Sequence, residues 1–288
     1  MIFKTYHLSH LEVVINTLHN QVGFVPASVL EQLQKYPKVF TISKSAVTIS
    51  EGLQTPEERN KALETVLLDL RKQNIFEALR GWRDECYDIK EHFSSPALFK
   101  MERSATPLFG LRQYGIHING FVRHSTRGSC LWLQRRSPTK QTYPGSRKTL
   151  QVLNLVCQTK GLLDSLVGGG LAAGMTVAET VVKEAMEEAN LPEALAATAI
   201  PAGSVSFFHR SGRGLFPNTE FVFDLELPES FQPGNNDGEV SGFELTPVKD
   251  IVGIITSQVD RLSIFDSVNH HHHHQQQFIM FSIPRTTK

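Results

Sequence analysis

Apolar residues recur along this chain with two different periods, and the change from one to the other divides it. Helical spacing dominates the first hundred residues. Ser28 and Glu31 form a capping-box pattern ahead of VLEQLQKY, and Pro37 closes that short helix. Thr55, with Pro56 at the first helical position and Glu58 three residues on, predicts a longer helix to about Lys72, with Ala62, Val66 and Leu70 facing inward. From Pro107 the period falls to two. LFGLRQYGIHINGFV and SCLWLQRR read as strands joined by a Gly-containing turn, which places a boundary near Thr106. A further helix follows three consecutive glycines, Gly168 to Gly170. Thr176 and Glu179 cap it, Ala178, Val182, Ala185 and Ala189 form its apolar stripe, and Asn190 offers a left-handed stop before Pro192.

The expected organisation is a unit over 1–105, a second over 106–255, and a low-complexity tail over 256–288. In that tail His270 to His274 adjoin three glutamines, and disorder is a better account of it than metal binding. Composition narrows the classes. The 288 residues hold 29 Lys plus Arg against 29 Asp plus Glu, a net charge of zero that gives no long-range pull toward nucleic acid or an anionic membrane. Cys86, Cys130 and Cys157 are odd in number and widely spaced, which suggests a reducing compartment and no structural zinc. No apolar run is long enough to span a bilayer and the first residues lack a signal-type core, so the expected location is cytoplasmic, with organellar import as the alternative.

The chemistry concentrates on the glycine-led helix. Glu184, Glu187 and Glu188 stand at i, i+3 and i+4 on one face, where like charges repel unless a cation neutralises them. Mg2+ is the expected cation because it takes hard oxygen ligands, with Mn2+ as a substitute. Isolated, EAMEEA would read as a solvated acidic face. The glycines and the cap change that reading, because glycines let a backbone carbonyl or amide approach a metal or a phosphate closely.

The segment from Gly169 to Leu191 resembles the Nudix box, G-x5-E-x7-R-E-U-x-E-E-x-G-U, where U is aliphatic. Gly169 takes the first glycine, Glu184, Glu187 and Glu188 the three later carboxylates, and Ala185 and Leu191 aliphatic places. Met175, Lys183 and Asn190 depart from it, standing where the box has glutamate, arginine and glycine. In the family that glutamate and arginine brace each other, so the departures bear on rigidity more than on metal binding. RGWRDECYDI, MERSATPLFG, YGIHINGFV, RRSPTKQTYPG, FVFDLELP and DGEV are similar to the Nudix proteins whose N-terminal domain is associated with thiamine pyrophosphokinase. The resemblance implies an α+β fold, an α-β-α sandwich around a mixed sheet, preceded by a smaller, mostly helical domain. It also implies hydrolysis of thiamine diphosphate, or of oxidised and damaged analogues, to the monophosphate and phosphate.

On this reading Glu184 and Glu188 are direct metal ligands, Glu187 acts through water or a second ion, and Gly169 lends its backbone. Glu239 is the candidate base or extra ligand, with Asp237 second. Arg135, Arg136, Lys140 and Gln141 are candidates for the diphosphate, Tyr143 for stacking on a heteroaromatic ring, and Glu220 for a side chain entering the site. His117 and Asn119 read as structural. The partner is a small-molecule diphosphate, with neither nucleic acid nor membrane, and the protein is a monomer or homodimer. Two features depart from the family: residues 146–161, either an inserted hairpin or translated intron sequence, and the altered C-terminus. Two other readings stay open. One is a catalytically weak binding module; the other is hydrolysis of a nucleoside-diphosphate-type compound.

Overall fold

Two buried apolar clusters that share no residue organise the chain, one in each half. The computed structural model describes residues 13–17, 20–43, 46–137, 163–236 and 238–251. Lys140, Gln141, Tyr143, Asp237, Cys157, the segment 146–161 and the tail 256–288 lie outside the described residues.

The N-terminal unit holds the expected helices but is not mostly helical. Short strands β1 (Val13–Thr17), β2 (Asn20–Val25), β3 (Phe40–Ile42) and β4 (Ala46–Ile49) form a sheet in the order β2-β1-β4-β3. Strands of three to six residues are too short to show a clear alternation, which is why this sheet escapes a periodicity reading. Helix α1 (Ala27–Leu33) starts after Pro26 and forms no side-chain cap, so the Ser28–Glu31 box does not form; Ser28 already lies inside the first turn. Helix α2 (Pro56–Gln73) has the capping box of Thr55 and Glu58 and ends at left-handed Asn74. Its buried face is Leu63, Val66, Leu67 and Leu70, while Ala62 is half-buried. Helix α3 (Glu77–Arg80) leads into a hairpin of β5 (Cys86–Ile89) and β6 (Phe99–Glu102).

The joint at Thr106 is packed. Thr106–Phe109 makes a buried 3-10 turn, because Pro107 fixes one backbone angle and Gly110 takes the left-handed conformation at φ 52°. The strand therefore starts later than its apolar pattern implies, at β7 (Gln113–His124).

The C-terminal unit is a seven-stranded mixed sheet with the path β11-β12-β7-β8-β13. Its further strands are β8 (Gly128–Arg136), β9 (Leu163–Asp164), β10 (Val167–Gly170), β11 (Ile200–Ser211), β12 (Gly214–Glu226) and β13 (Val240–Pro247). β12 runs parallel to β7, and β10 pairs antiparallel with the same strand. Helix α4 (Val177–Ala189) packs Val181, Ala185 and Ala189 against Ile116 and Ile118. On the other face Ile251, in a helical stretch at 248–251, meets Leu131 and Leu133. The short α5 (Glu193–Ala196) follows α4. The buried stripe of α4 differs from the expected one: Ala178 is exposed, and Thr180 and Glu188 are buried in its place.

Candidate functional site

The site is built where β10 runs into α4. Thr176 caps the helix, accepting from Glu179 N–H at 3.2 Å while Glu179 Oε2 accepts from Thr176 N–H at 2.8 Å. Asn190 closes it at φ 52°. A helix fixed at both ends sets the rotation of its acidic face, and on this one Glu184 and Glu188 turn toward the glycine strand.

Glu184 lies directly over Gly169. A Cβ there would collide with the Glu184 side chain and stand 2.5 Å from its Oε2. The carboxyl is pushed up to about 7, chiefly by burial and further by the Glu188 and Glu187 charges, with Lys183 opposing. Glu188 is 1% exposed, and its Oε2 accepts from Gly168 N–H at 2.9 Å and from Gln134 Nε2 at 3.2 Å. Glu187 is more open and pairs with Lys183 Nζ at 2.7 Å; Lys183 also reaches Glu184 at 3.2 Å. Lys183, left without its usual partner by the substitution at Met175, has thus found new ones.

Glu220 enters the same region from β12. Register places it beside Gly115, and Gly115 beside Gly170. The two glycines leave a furrow across three strands, with the Glu220 carboxylate lying over Gly115. Burial raises its pKa, Asp164 adds to that, and His117, Asn218 and Arg103 oppose. Glu239 precedes β13; its C=O accepts from Ser137 N–H at 2.9 Å, and its charge is felt by Arg83. Its loop is tied to α4, since Asn236 N–H donates to Glu187 C=O at 3.2 Å and Gly234 N–H to Ala189 C=O at 3.1 Å.

Two of the basic candidates are engaged within the sheet. Arg135 pairs with Glu244 of β13 at 2.6 Å and Arg136 with Asp164 of β9 at 2.7 Å, so both guanidinium groups hold β8 to its neighbours. His117 contacts Ser165 Oγ at 2.7 Å, and Asn119 donates to Asp224 at 3.0 Å, both structural contacts.

Three side chains at the site were not read from the sequence as functional: Tyr87, Arg103 and Gln134. Tyr87 and Arg103 both approach Gly170. Their segments, RGWRDECYDI and MERSATPLFG, had the family's look, but the first also reads as core packing with a solvated face. Gln134 is invisible because β8 gives no sign that one polar position faces a buried carboxylate.

Hard oxygens on a fixed helix, a strand without side chains behind them and a largely buried carboxyl with a raised pKa fit a divalent cation in their chemistry. Among the described residues no three His, Cys, Asp or Glu side chains converge into a ready cage. That still suits Mg2+, which keeps several waters and takes one or two carboxylates together with substrate phosphates.

Comparison with known proteins gives the same frame. A domain of unknown function, DUF4743, matches residues 6–113, and the NUDIX domain matches residues 116–266. The chain is similar to Nudix hydrolase 24, chloroplastic, of Arabidopsis thaliana, with 37% identity over 236 residues, covering 81% of this chain and 59% of that protein. It is similarly related to Nudix hydrolase 20, chloroplastic, of the same plant, at 36% over 243 residues, 81% of this chain and 60% of that one. The chain thus spans about three-fifths of the length of these relatives. The crystal structure of DR0079 from Deinococcus radiodurans shares 23% identity at a TM-score of 0.40, over 60% of this chain and 90% of that one. With the NUDIX match covering more than half of the residues and falling on the glycine strand and acidic helix described above, the chain belongs to the Nudix family.

Proposed function

We propose that this protein is a Mg2+-dependent diphosphatase that cleaves thiamine diphosphate, or an oxidised or damaged analogue, to the monophosphate and phosphate. The observation that carries the diphosphatase reading is Glu184, a largely buried carboxylate held over Gly169 beside Glu188. Such a group is destabilising by itself and becomes favourable beside a cation. Support for thiamine comes from the sequence segments alone, so a nucleoside-diphosphate-type substrate is the second choice of leaving group. The expected compartment is cytoplasmic, with organellar import the alternative, since two relatives carry the word chloroplastic in their names.

Glu184 and Glu188 would hold the ion, Gly169 would contribute backbone, and Glu187 would act through water. When bound, the ion supplies charge neutralisation at the diphosphate oxygens and a lowered pKa for water. The chain's own residues do the rest. Gly168 N–H and Gln134 fix the Glu188 carboxylate, which keeps its geometry constant as charge develops. Glu220, half-buried with its pKa raised by burial, lies over Gly115 and is a second candidate to take a proton from water. Glu239 remains the candidate for a base brought by a loop.

The test is incubation of purified protein with Mg2+ and thiamine diphosphate, an oxidised analogue, ADP-ribose or an oxidised nucleoside triphosphate, beside a Glu188→Gln control. Monophosphate product that is absent in the control supports the proposal. No product from any compound, with the protein folded, transfers the reading to a binding module. One observation favours that second reading: Lys183 already neutralises part of the charge of Glu184 and Glu187.

A further inference from the structure

The N-terminal unit brings a cation to the glycine strand. The β5–β6 hairpin is fastened to the loop between β10 and α4: Ala173 N–H donates to Cys86 C=O at 2.8 Å and Gly174 N–H to Asp88 Oδ2 at 2.9 Å. Arg103 follows β6, where Glu102 Oε1 holds the turn by accepting from Arg83 N–H at 3.0 Å and Ser104 N–H at 3.1 Å. Its backbone N–H donates to Glu85 C=O at 2.8 Å, its Nη1 donates to Glu85 Oε1 at 2.8 Å, and its guanidinium lies 5.0 Å from the Tyr87 ring centroid. One edge of the fork is therefore held. The other, Nη2, lies against Gly170, 2.7 Å from where a Cβ would stand.

Arg103 is within electrostatic reach of both Glu184 and Glu220. A diphosphate approaching those carboxylates is repelled by them, and a planar guanidinium with several donors suits phosphate oxygens. Arg83 stands near enough to be disfavoured by the Arg103 charge, a juxtaposition that an anion relieves. Beside Tyr87 opens a cleft lined also by Asp88, Phe93, Tyr114 and Met175. Phe93 is 39% exposed and packs on Tyr114 and Phe221 at centroid distances of 5.0 and 4.8 Å, an aromatic wall.

We propose that the N-terminal unit completes the substrate site: Arg103 grips the diphosphate at the glycine strand, and the aromatic ring of the group it carries rests in the adjoining cleft against Phe93 and Tyr114. This rests on reading the acidic helix as a diphosphate site. The substrate class is a diphosphate ester bearing an aromatic ring, and Arg103 is a substrate-binding residue.

The experiment compares wild type, Arg103→Met and Arg103→Lys in the full chain, with Mg2+ present, by calorimetric binding of methylenediphosphonate and by steady-state kinetics on whichever diphosphate wild type cleaves. Loss of one charge-assisted contact predicts weaker binding and a higher KM by about ten- to a hundred-fold for the Met variant, with a smaller change in kcat. Lysine recovers part of the loss, and added guanidinium ion rescues the Met variant, which a merely structural arginine would not show. Binding and KM equal to wild type in folded Arg103→Met overturn the proposal, as does failure of wild type to bind methylenediphosphonate. Binding that depends on Arg103 without turnover of any diphosphate overturns the hydrolase reading and leaves this one standing. If the Met variant does not fold, the Lys variant decides, since it keeps the charge and loses the fork.

Discussion

Replacing Glu184 with glutamine should stabilise the metal-free protein above neutral pH and leave it unchanged near pH 4. The carboxyl is pushed up to about 7 from an ordinary value of 4.5, with burial the largest cause. Its side chain is only 14% exposed, so solvent screens little of the shift. Between those two values the folded protein binds a proton that the unfolded chain has already released. Stability therefore falls as pH rises through that window, and the full penalty persists above it. At 1.36 kcal/mol per unit the shift corresponds to about 3 kcal/mol. Glutamine keeps the shape and carries no charge, so it removes the slope. The assay is urea denaturation at several pH values between 4 and 8, first in chelator and then in Mg2+. Wild type in chelator should lose about 3 kcal/mol relative to Glu184→Gln by pH 8. Mg2+ should restore most of that to wild type, by about 2.7 kcal/mol at a hundred times its dissociation constant, and do little for the variant. Parallel pH curves in chelator, or equal stabilisation of both proteins by Mg2+, would refute the argument that Glu184 carries a charge only partly compensated by Lys183 and awaiting a cation.

Other perturbations separate scaffold from chemistry. Gly169→Ala puts a Cβ onto the Glu184 side chain, so the helix or the carboxylate must move; kcat/KM should fall more than about tenfold while circular dichroism stays native. Glu188→Ala strips the acceptor from Gly168 N–H and Gln134, two donors in a buried setting, and should cost about 2–5 kcal/mol of unfolding free energy, read by urea denaturation, as well as turnover. Thr176→Ala removes the cap of α4 and should cost about 1 kcal/mol, read as a lower thermal midpoint, with KM unchanged because the cap touches no substrate group.

What was legible in the sequence was what is local. The boxes at Thr55 and Thr176 and the stop at Asn190 follow from residues within one turn of each other. The same logic misleads at Ser28, where Pro26 supplies the first helical carbonyl and the cap it points to is not made. The glycine run and acidic helix could be found together because only a short loop separates them. The furrow could not, because it needs Gly170, Gly115 and Glu220 to line up across three strands whose register is set by long-range pairing. Nor could Arg103, whose place at Gly170 depends on a hairpin some seventy residues earlier in the chain docking on the loop before α4.

That docking also bears on the departures at Met175 and Lys183. In the family pattern a glutamate and an arginine at these two positions brace each other; here Met175 replaces the glutamate and Lys183 keeps only the positive charge. Here the loop is held from the other side, by Cys86 C=O and the Asp88 carboxylate accepting from Ala173 and Gly174 N–H. Met175, relieved of a charged role, lines the cleft with Tyr87 and Tyr114. Lys183 turns to Glu184 and Glu187, where it tempers the acidic face. Loss of the glutamate alone would strand the cation that remains at position 183, and the pairing of Lys183 with Glu184 and Glu187 prevents that. The rigidity that the proposed reaction requires then comes from the N-terminal unit, and a unit that holds the loop in place is already in position to put a side chain beside it.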